Sequence, residues 1–120
     1  MTDAFQEREH AAEALFVHDE ELRFLALARR DKLFARWVAE RLNLHGPARH
    51  DLVERLLAVQ GFPKHDGALL AEAVKVFQSV GDTSNSEAGT AALRRYGEIA
   101  MADLKRGDVV PVDLDAHEAG

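Results

Sequence analysis

The chain of 120 residues contains no cysteine, which excludes disulfide bonds, thiolate zinc sites and thiol catalysis. This absence is typical of proteins of the reducing cytoplasm. No segment approaches the roughly 20 apolar residues needed to span a bilayer. The first ten residues also lack the basic and apolar regions of an export signal. We therefore expect a soluble cytoplasmic protein that does not insert into the membrane.

Aromatic residues are scarce, at 7% of the chain, and there are only three prolines. A core built mainly from Leu, Ala and Val is most easily formed by packed helices, and the length suits one domain. Proline and glycine are both missing from Phe16 to Leu44. This segment is therefore predicted to form one long helix of about eight turns.

The apolar residues of this long helix fall in two neighbouring rows. One row is Leu22, Ala26, Leu33 and Trp37, and the other is Phe24, Leu27, Phe34, Val38 and Leu42. Together they form a wide apolar arc, which indicates a central helix held by several others. The charged residues around the arc are interpreted as solvated; they are Arg23, Arg29, Arg30, Asp31, Lys32, Arg36, Glu40 and Arg41.

Turn residues predict two further helices after the long one. Gly46 can take the left-handed conformation that ends a helix, and a second helix then runs from Pro47 to about Gln60. Asp66 is a suitable N-cap for a third helix, which Gly81 closes.

A fourth helix is predicted to begin at Ser84 and Glu87, which have the spacing of a capping box, and to continue through Leu104. Gly97 weakens its middle, and close packing against the long helix would be a reason for that glycine. The sequence thus predicts an all-α protein, a four-helix bundle around one long helix.

The two ends of the chain differ from this pattern. Residues 3–18 form a thin amphipathic helix that is marginal in water, so it either frays and folds on a partner or docks on the bundle. Residues 108–120 alternate apolar and acidic residues and are predicted to be extended or disordered. The expected division is an arm at 1–19, a helical bundle at 20–107 and an acidic tail at 108–120.

Charge is distributed unevenly around a net charge of −6. Met1 to Glu21 carries seven acidic residues and one basic residue, whereas Leu22 to Arg55 carries eight basic and four acidic residues. The acidic total argues against a nucleic acid partner. Arg29, Lys32 and Arg36 share one helical face and could hold an anion such as a nucleotide phosphate. A solvated basic face is the alternative.

No residue pattern predicts catalysis. Glu9, His10 and Glu13 lie close on one helix, but no second histidine stands at metal-ligand spacing. There is neither a nucleophile elbow nor a phosphate-binding loop with its lysine. We expect no enzyme, no catalytic residue, no metal and no obligatory cofactor.

Four short motifs follow one another in the first 44 residues: F-Q-E-R-E at 5–9, F-V-H-D-E-E-L-R-F at 16–24, A-R-R-D-K-L at 28–33 and W-V-A-E at 37–40. In order and spacing, this segment resembles the zeta subunit of the alphaproteobacterial F-type ATP synthase. Residues 51–106 resemble that family only in the order and length of their helices and in the placement of loops. The acidic tail extends past the usual end of the family.

The resemblance implies a bundle with an N-terminal inhibitory arm. In the family, the arm inserts as a helix between catalytic and non-catalytic subunits of the ATP synthase head, close to the rotor, and blocks rotation in the hydrolysis direction. The protein would be a monomer when free and would lie on the cytoplasmic face of the inner membrane when bound. The arm residues expected to contact the partner are Phe5, Arg8, Glu9, Ala12, Glu13 and Phe16.

Two alternatives stay open at this point. One is a helical adapter for another cytoplasmic protein, in which the arm merely completes the fold. The other is a nucleotide-responsive binding module, since some members of the family bind ADP or ATP on the bundle. Arg29, Lys32 and Arg36 are the candidate residues for such a ligand, although the resemblance itself maps the nucleotide onto no particular residue.

Overall fold

The computed structural model describes residues 4–59, 65–82, 86–107 and 110–116, with side chains from Asp19 onward. They form four helices: α1 (Ala4–Arg41), α2 (Gly46–Leu57), α3 (His65–Ser79) and α4 (Ser86–Lys105). No strand occurs in these ranges, so the predicted all-α class is confirmed. Within the same ranges, no helix has the length and apolarity needed to cross a bilayer.

α1 joins the two N-terminal helices of the sequence prediction into one helix of 38 residues. Its length is about 57 Å at 1.5 Å per residue. Residues 4–41 contain neither proline nor glycine, so nothing in the sequence interrupts the hydrogen-bond ladder. The predicted arm and the predicted long helix are therefore continuous in the backbone.

α1 ends at Arg41, and the left-handed residue that follows its end is Asn43. Gly46 also takes the predicted left-handed conformation, with a φ of 60°, but it lies at the start of α2, so the prediction that it ends α1 is wrong. Asn43 has a φ of 54°. Its N–H donates to the Glu40 carbonyl at 2.9 Å, and the Leu44 N–H donates to the Ala39 carbonyl at 3.0 Å. This is a Schellman motif, and asparagine is one of the few residues other than glycine that tolerate the left-handed conformation.

The predicted end of the third helix is confirmed, whereas its predicted cap is wrong. Gly81 has a φ of 75°, and the Asp82 N–H donates to the Phe77 carbonyl at 2.9 Å. Asp66 does not precede α3, because that helix already begins at His65. Ser84, half of the predicted capping box of α4, lies outside the described residues.

One apolar core joins the four helices. α1 packs mainly against α4 and α2, and α3 packs against the same two helices. The largest fully buried side chains are Tyr96, Phe34, Phe77, Leu56, Leu69 and Val38. Trp37 is half-buried at the edge of this core, with its ring centroid 5.7 Å from that of Phe34 and 6.0 Å from that of Phe77. We call α2, α3, α4 and α1 from Ala26 onward the helical body.

The two predicted apolar rows of α1 are buried only in their C-terminal parts. Leu33, Phe34 and Val38 are in the core. Phe24 and Leu27 are exposed, so the rows were wrongly extended to them. The first buried residue of the described side chains is Ala26. An apolar residue is buried only where another element covers it, and from Asp19 to Leu25 every described side chain is exposed except that of Leu22, which is partly buried.

Candidate functional site

The six arm residues expected to contact a partner all lie on the N-terminal part of α1. The backbone at Phe5, Arg8, Glu9, Ala12, Glu13 and Phe16 is helical. Their side chains, and that of His10, lie outside the residues whose side chains are described. The structure thus places these positions on one helix with the body, and their contacts stay a prediction.

An apolar strip is uncovered on α1 where the helix meets the body. Phe24 is 71% exposed, Leu25 52% and Leu27 37%. We call these three residues the exposed strip. Three neighbouring large apolar side chains in water are unusual for a surface helix and are typical of a binding surface. The sequence placed two of them in the core, because periodicity shows which residues share a face but not whether that face is covered.

Of the three candidate anion-binding residues, Arg29 and Arg36 contact other parts of the chain, whereas Lys32 is exposed to solvent. Arg29 Nε donates to Asp103 Oδ2 at 3.1 Å, and its Nη1 donates to the Val110 carbonyl. Arg36 Nη1 donates to the Asp113 carbonyl at 3.1 Å. Lys32 is exposed. An anion bound by all three residues would therefore compete with the C-terminal segment for Arg29 and Arg36.

The C-terminal segment, residues 110–116, lies against the helical body. Val112 and Leu114 pack on the core. Arg49, which is 2% exposed, donates from Nε to the Leu114 carbonyl at 2.8 Å and from Nη2 to the Ala116 carbonyl at 3.0 Å. The sequence predicted an extended or disordered tail. In the structure, residues 110–113 have no regular secondary structure, residues 114–116 form a turn, and arginines donate hydrogen bonds to the carbonyl groups of this segment.

A polar cluster connects α1 to the beginning of α3. Arg30 Nη2 lies 2.9 Å from Asp31 Oδ1 and 2.7 Å from Asp66 Oδ1, and His65 Nε2 lies 2.6 Å from Asp31 Oδ2. Arg30 is only 7% exposed, and Arg29 is also largely buried, so the prediction that these residues are solvated is wrong. Each is buried with an acidic partner, which is how arginine is usually accommodated inside a protein.

This cluster shifts two pKa values in opposite directions. Burial acts to lower the pKa of Arg30, but the hydrogen bonds to Asp66 and Asp31 and their negative charges outweigh it, so that pKa is raised. The hydrogen bonds from Arg30 lower the pKa of Asp66, against a smaller opposing effect of desolvation. Both groups are thus held in their charged forms.

The described histidines outside this cluster have short-range partners. His45 Nε2 lies 3.1 Å from Asn43 Oδ1, and His50 Nε2 lies 3.0 Å from Glu54 Oε1 one turn away. Across the described ranges, no three histidine or acidic side chains converge as metal ligands. His117 lies outside these ranges. These contacts are short-range pairs at helix ends and along one helix face.

Two structurally important residues were missed by the sequence analysis, although a signal was present. Arg49 precedes Leu52, Val53 and Leu56 at helical spacing, so it lies on the buried face of α2. Asp103 likewise continues the buried face of α4 after Tyr96 and Ala100. A charged residue in register with an apolar face indicates a buried ion pair or hydrogen bond.

Most of the chain matches a known protein family. A sequence model of a family described as ATPase inhibitor subunit zeta matches residues 1–103. No curated protein and no solved structure matches the chain significantly. The matched range includes α1, α2, α3 and most of α4, and it ends before the C-terminal segment. The match supports an ATPase inhibitor role and an ATP synthase as partner, and it is consistent with a protein that is not an enzyme.

Proposed function

The chain belongs to the ATPase inhibitor subunit zeta family, and we propose that it blocks ATP hydrolysis by the F-type ATP synthase by inserting the N-terminal part of α1 into a catalytic interface of the rotary head. The site of insertion is the cleft between a catalytic and a non-catalytic subunit, close to the rotor, on the cytoplasmic face of the inner membrane. The inserted contacts are Phe5, Arg8, Glu9, Ala12, Glu13 and Phe16.

The observation that carries this proposal is the continuity of α1. Starting a helix in water is costly, whereas extending an existing helix costs far less. The arm extends a helix whose later turns are already packed in the body, from Ala26 onward. It therefore needs no new nucleus when it binds, and less ordering entropy opposes insertion.

A rigid connection also suits the inhibition of a motor. Because α1 is one uninterrupted helix from Ala4 to Arg41, a force on its N-terminal part is transmitted to the body rather than absorbed by a hinge. Burying Phe5 and Phe16 at roughly 25 cal/mol per Å² would supply several kcal/mol of binding energy. Arg8 and the acidic residues would mainly fix orientation and the rate of association.

Titration of the full chain into the isolated ATP synthase head of its own organism tests the proposal. We expect ATP hydrolysis to stop as the inhibitor binds. The double variant Phe5→Asp/Phe16→Asp should need at least tenfold more protein for the same inhibition. The control is Val80→Asp, because Val80 is an exposed apolar residue on another part of the chain.

The assay separates this function from the alternatives. If the full chain leaves hydrolysis unchanged, the inhibitor proposal fails and the helical adapter is favoured. If the arm variant inhibits as well as the unaltered chain, the arm does not insert. The nucleotide-responsive alternative has its own test: ATP should shift the amide resonances around Arg29, Lys32 and Arg36.

A further inference from the structure

A groove of about 720 Å³ lies between α1 and α4, immediately beside the exposed strip. We call it the α1–α4 groove. Its lining is mostly apolar and includes the small residues Ala26, Gly97 and Ala102 beside the larger Leu27, Leu93 and Met101. Small residues on the floor of a groove allow another backbone to approach closely. The groove is open to solvent, and its lining extends from Leu93 to Lys105 on α4, about 18 Å along that helix, so it can take an elongated ligand such as a helix.

The polar lining of the α1–α4 groove is predominantly basic. Besides Arg30, the described lining residues include three basic side chains, Arg23, Arg94 and Lys105, and one acidic side chain, Glu98. Arg94 and Lys105 have no hydrogen-bond or ion-pair partner in the described part of the chain. Arg23 reaches only the exposed Glu20, at 3.4 Å. Arg30 also lines the groove, but Asp31 and Asp66 already balance its charge.

The groove lies next to the proposed arm on the same helix. The arm ends at about Asp19, and the first groove residue, Arg23, follows four residues later, about 6 Å along the helix axis. Phe24 and Leu25 of the exposed strip are adjacent to it in sequence. A partner that holds the arm is thus close enough to cover the groove as well.

We propose that the α1–α4 groove binds an acidic amphipathic helix of the same ATP synthase head, as a second contact that anchors the body while the arm is inserted. This inference rests on the proposed function. The apolar face of the helix covers Leu27, Leu93 and Met101, and its carboxylates pair with Arg94 and Lys105 on the rim. Helix-in-groove binding of this kind combines apolar burial with charge complementarity that fixes orientation.

Charge complementarity decides the chemistry of the occupant. A basic partner helix would leave Arg94 and Lys105 facing like charges, and a purely apolar one would cover these two cations without pairing them. The chain's own arm is no candidate within one molecule, because it leads into Arg23 as part of the same unbroken helix. The acidic N-terminal segment of a second copy has suitable charge, so the test includes it as an outcome.

Charge reversal on the groove rim is the first test. In the titration against the ATP synthase head, Arg94→Glu and Lys105→Glu should each raise the concentration for half inhibition at least tenfold. The matched control is Lys75→Glu, because Lys75 is an exposed lysine on α3 outside the groove and should change the value less than twofold. Equal effects of the groove and control variants would overturn the proposal. Thermal unfolding curves confirm that the variants are folded.

Cross-linking identifies the occupant directly, since the chain has no cysteine of its own. Met101→Cys introduces a unique thiol in the groove for a photoreactive cross-linker. We expect capture of a segment of the ATP synthase head that is rich in Asp and Glu and has apolar residues at helical spacing. Capture of a basic or non-helical segment, or of a second copy of this chain, would contradict the proposal.

The arm variant Phe5→Asp/Phe16→Asp in the same assay distinguishes failure of this inference from failure of the proposed function. If that variant loses inhibition while Arg94→Glu and Lys105→Glu inhibit like Lys75→Glu, the proposed insertion of the arm is supported and the proposed groove contact is wrong. If the full chain does not inhibit at all, the proposed function fails first. Sedimentation of the free protein tests whether the groove binds a second copy of the chain: a dimer that Lys105→Glu dissociates would contradict the proposal.

Discussion

Arg29 of α1 and Asp103 of α4 form an ion pair between two largely buried side chains, with Nε 3.1 Å from Oδ2. Asp103 also accepts a hydrogen bond from Arg106 one turn later. The pair lies close to the position where α1 leaves the body, because Ala26 is the first buried residue of the described side chains. It therefore fixes α1 to α4 next to the α1–α4 groove.

Removing the carboxylate of Asp103 should destabilise the fold. Asp103→Ala leaves Arg29 largely buried without its carboxylate, and we expect the free energy of unfolding to fall by about 1–3 kcal/mol. Urea unfolding followed by Trp37 fluorescence measures the change. The control is Asp51→Ala, because Asp51 is exposed on α2. Equal stability of the two variants would show that the pair contributes nothing.

Acid should weaken the contact between Asp66 and Arg30. The pKa of Asp66 is lowered from 3.8 in the folded state, so its contribution is present above about pH 4 and is lost as the pH falls through the folded pKa. Asp66 is 64% exposed, so solvent screening limits the contribution to below about 1 kcal/mol. The stability difference between Asp66→Asn and the unaltered chain should shrink between pH 4 and pH 2. A difference that is constant over this range would contradict the assignment.

Arg49 should determine whether the C-terminal segment stays on the body. Arg49→Met retains an apolar side chain of similar length but removes the donors to the carbonyls of Leu114 and Ala116. We expect a loss of about 1–3 kcal/mol in unfolding free energy and faster amide motion in residues 112–116 by heteronuclear NOE. Arg55→Met on the exposed side of α2 should leave that motion unchanged. An equally ordered segment in both variants would show that the arginine is not its anchor.

Gly97→Ala should stabilise α4. An added Cβ would lie 3.5 Å from the Arg30 Cδ atom, which is an ordinary van der Waals contact. The helix should therefore gain up to about 1 kcal/mol from the better propensity of alanine. The comparison is Gly89→Ala, where the new Cβ would overlap the Leu70 side chain. Thermal unfolding should rank Gly97→Ala as the more stable variant, and the reverse order would contradict the assigned packing.

Local signals in the sequence predicted the helices well. The lack of proline and glycine from residue 4 to residue 41 is compatible with an unbroken α1, although the arm and the long helix were predicted as separate segments. The glycine at position 81 ends α3 because its left-handed φ is available at little cost. Asp66 was wrongly assigned as the cap of α3, because an aspartate suits both the N-cap and the first turn of a helix, and α3 already begins at His65.

The candidate site could be predicted only in part. The motifs between Phe5 and Glu40 indicated the family, and the family model confirmed it over residues 1–103. The exposed strip and the α1–α4 groove could not be found in the same way. Phe24 and Phe34 belong to the same apolar row of α1, but one is exposed and the other is buried. Their difference depends on where the neighbouring helices lie, which periodicity does not encode.

The sequence by itself determined the all-α class and the family, because helix propensity, helix-ending residues and motif spacing act over a few residues. The continuity of the predicted arm and the predicted long helix in one α1 was visible only in the structure. Tertiary structure alone decided which apolar and charged residues are covered: Arg30 and Arg49 are buried with partners, while Phe24 and Leu25 remain in water. Burial is a relation between residues distant in the chain, and the pairing of Arg29 with Asp103 across 74 positions is one such relation. A binding surface consists of the residues that the packed elements leave exposed, so it exists only when the helices have packed.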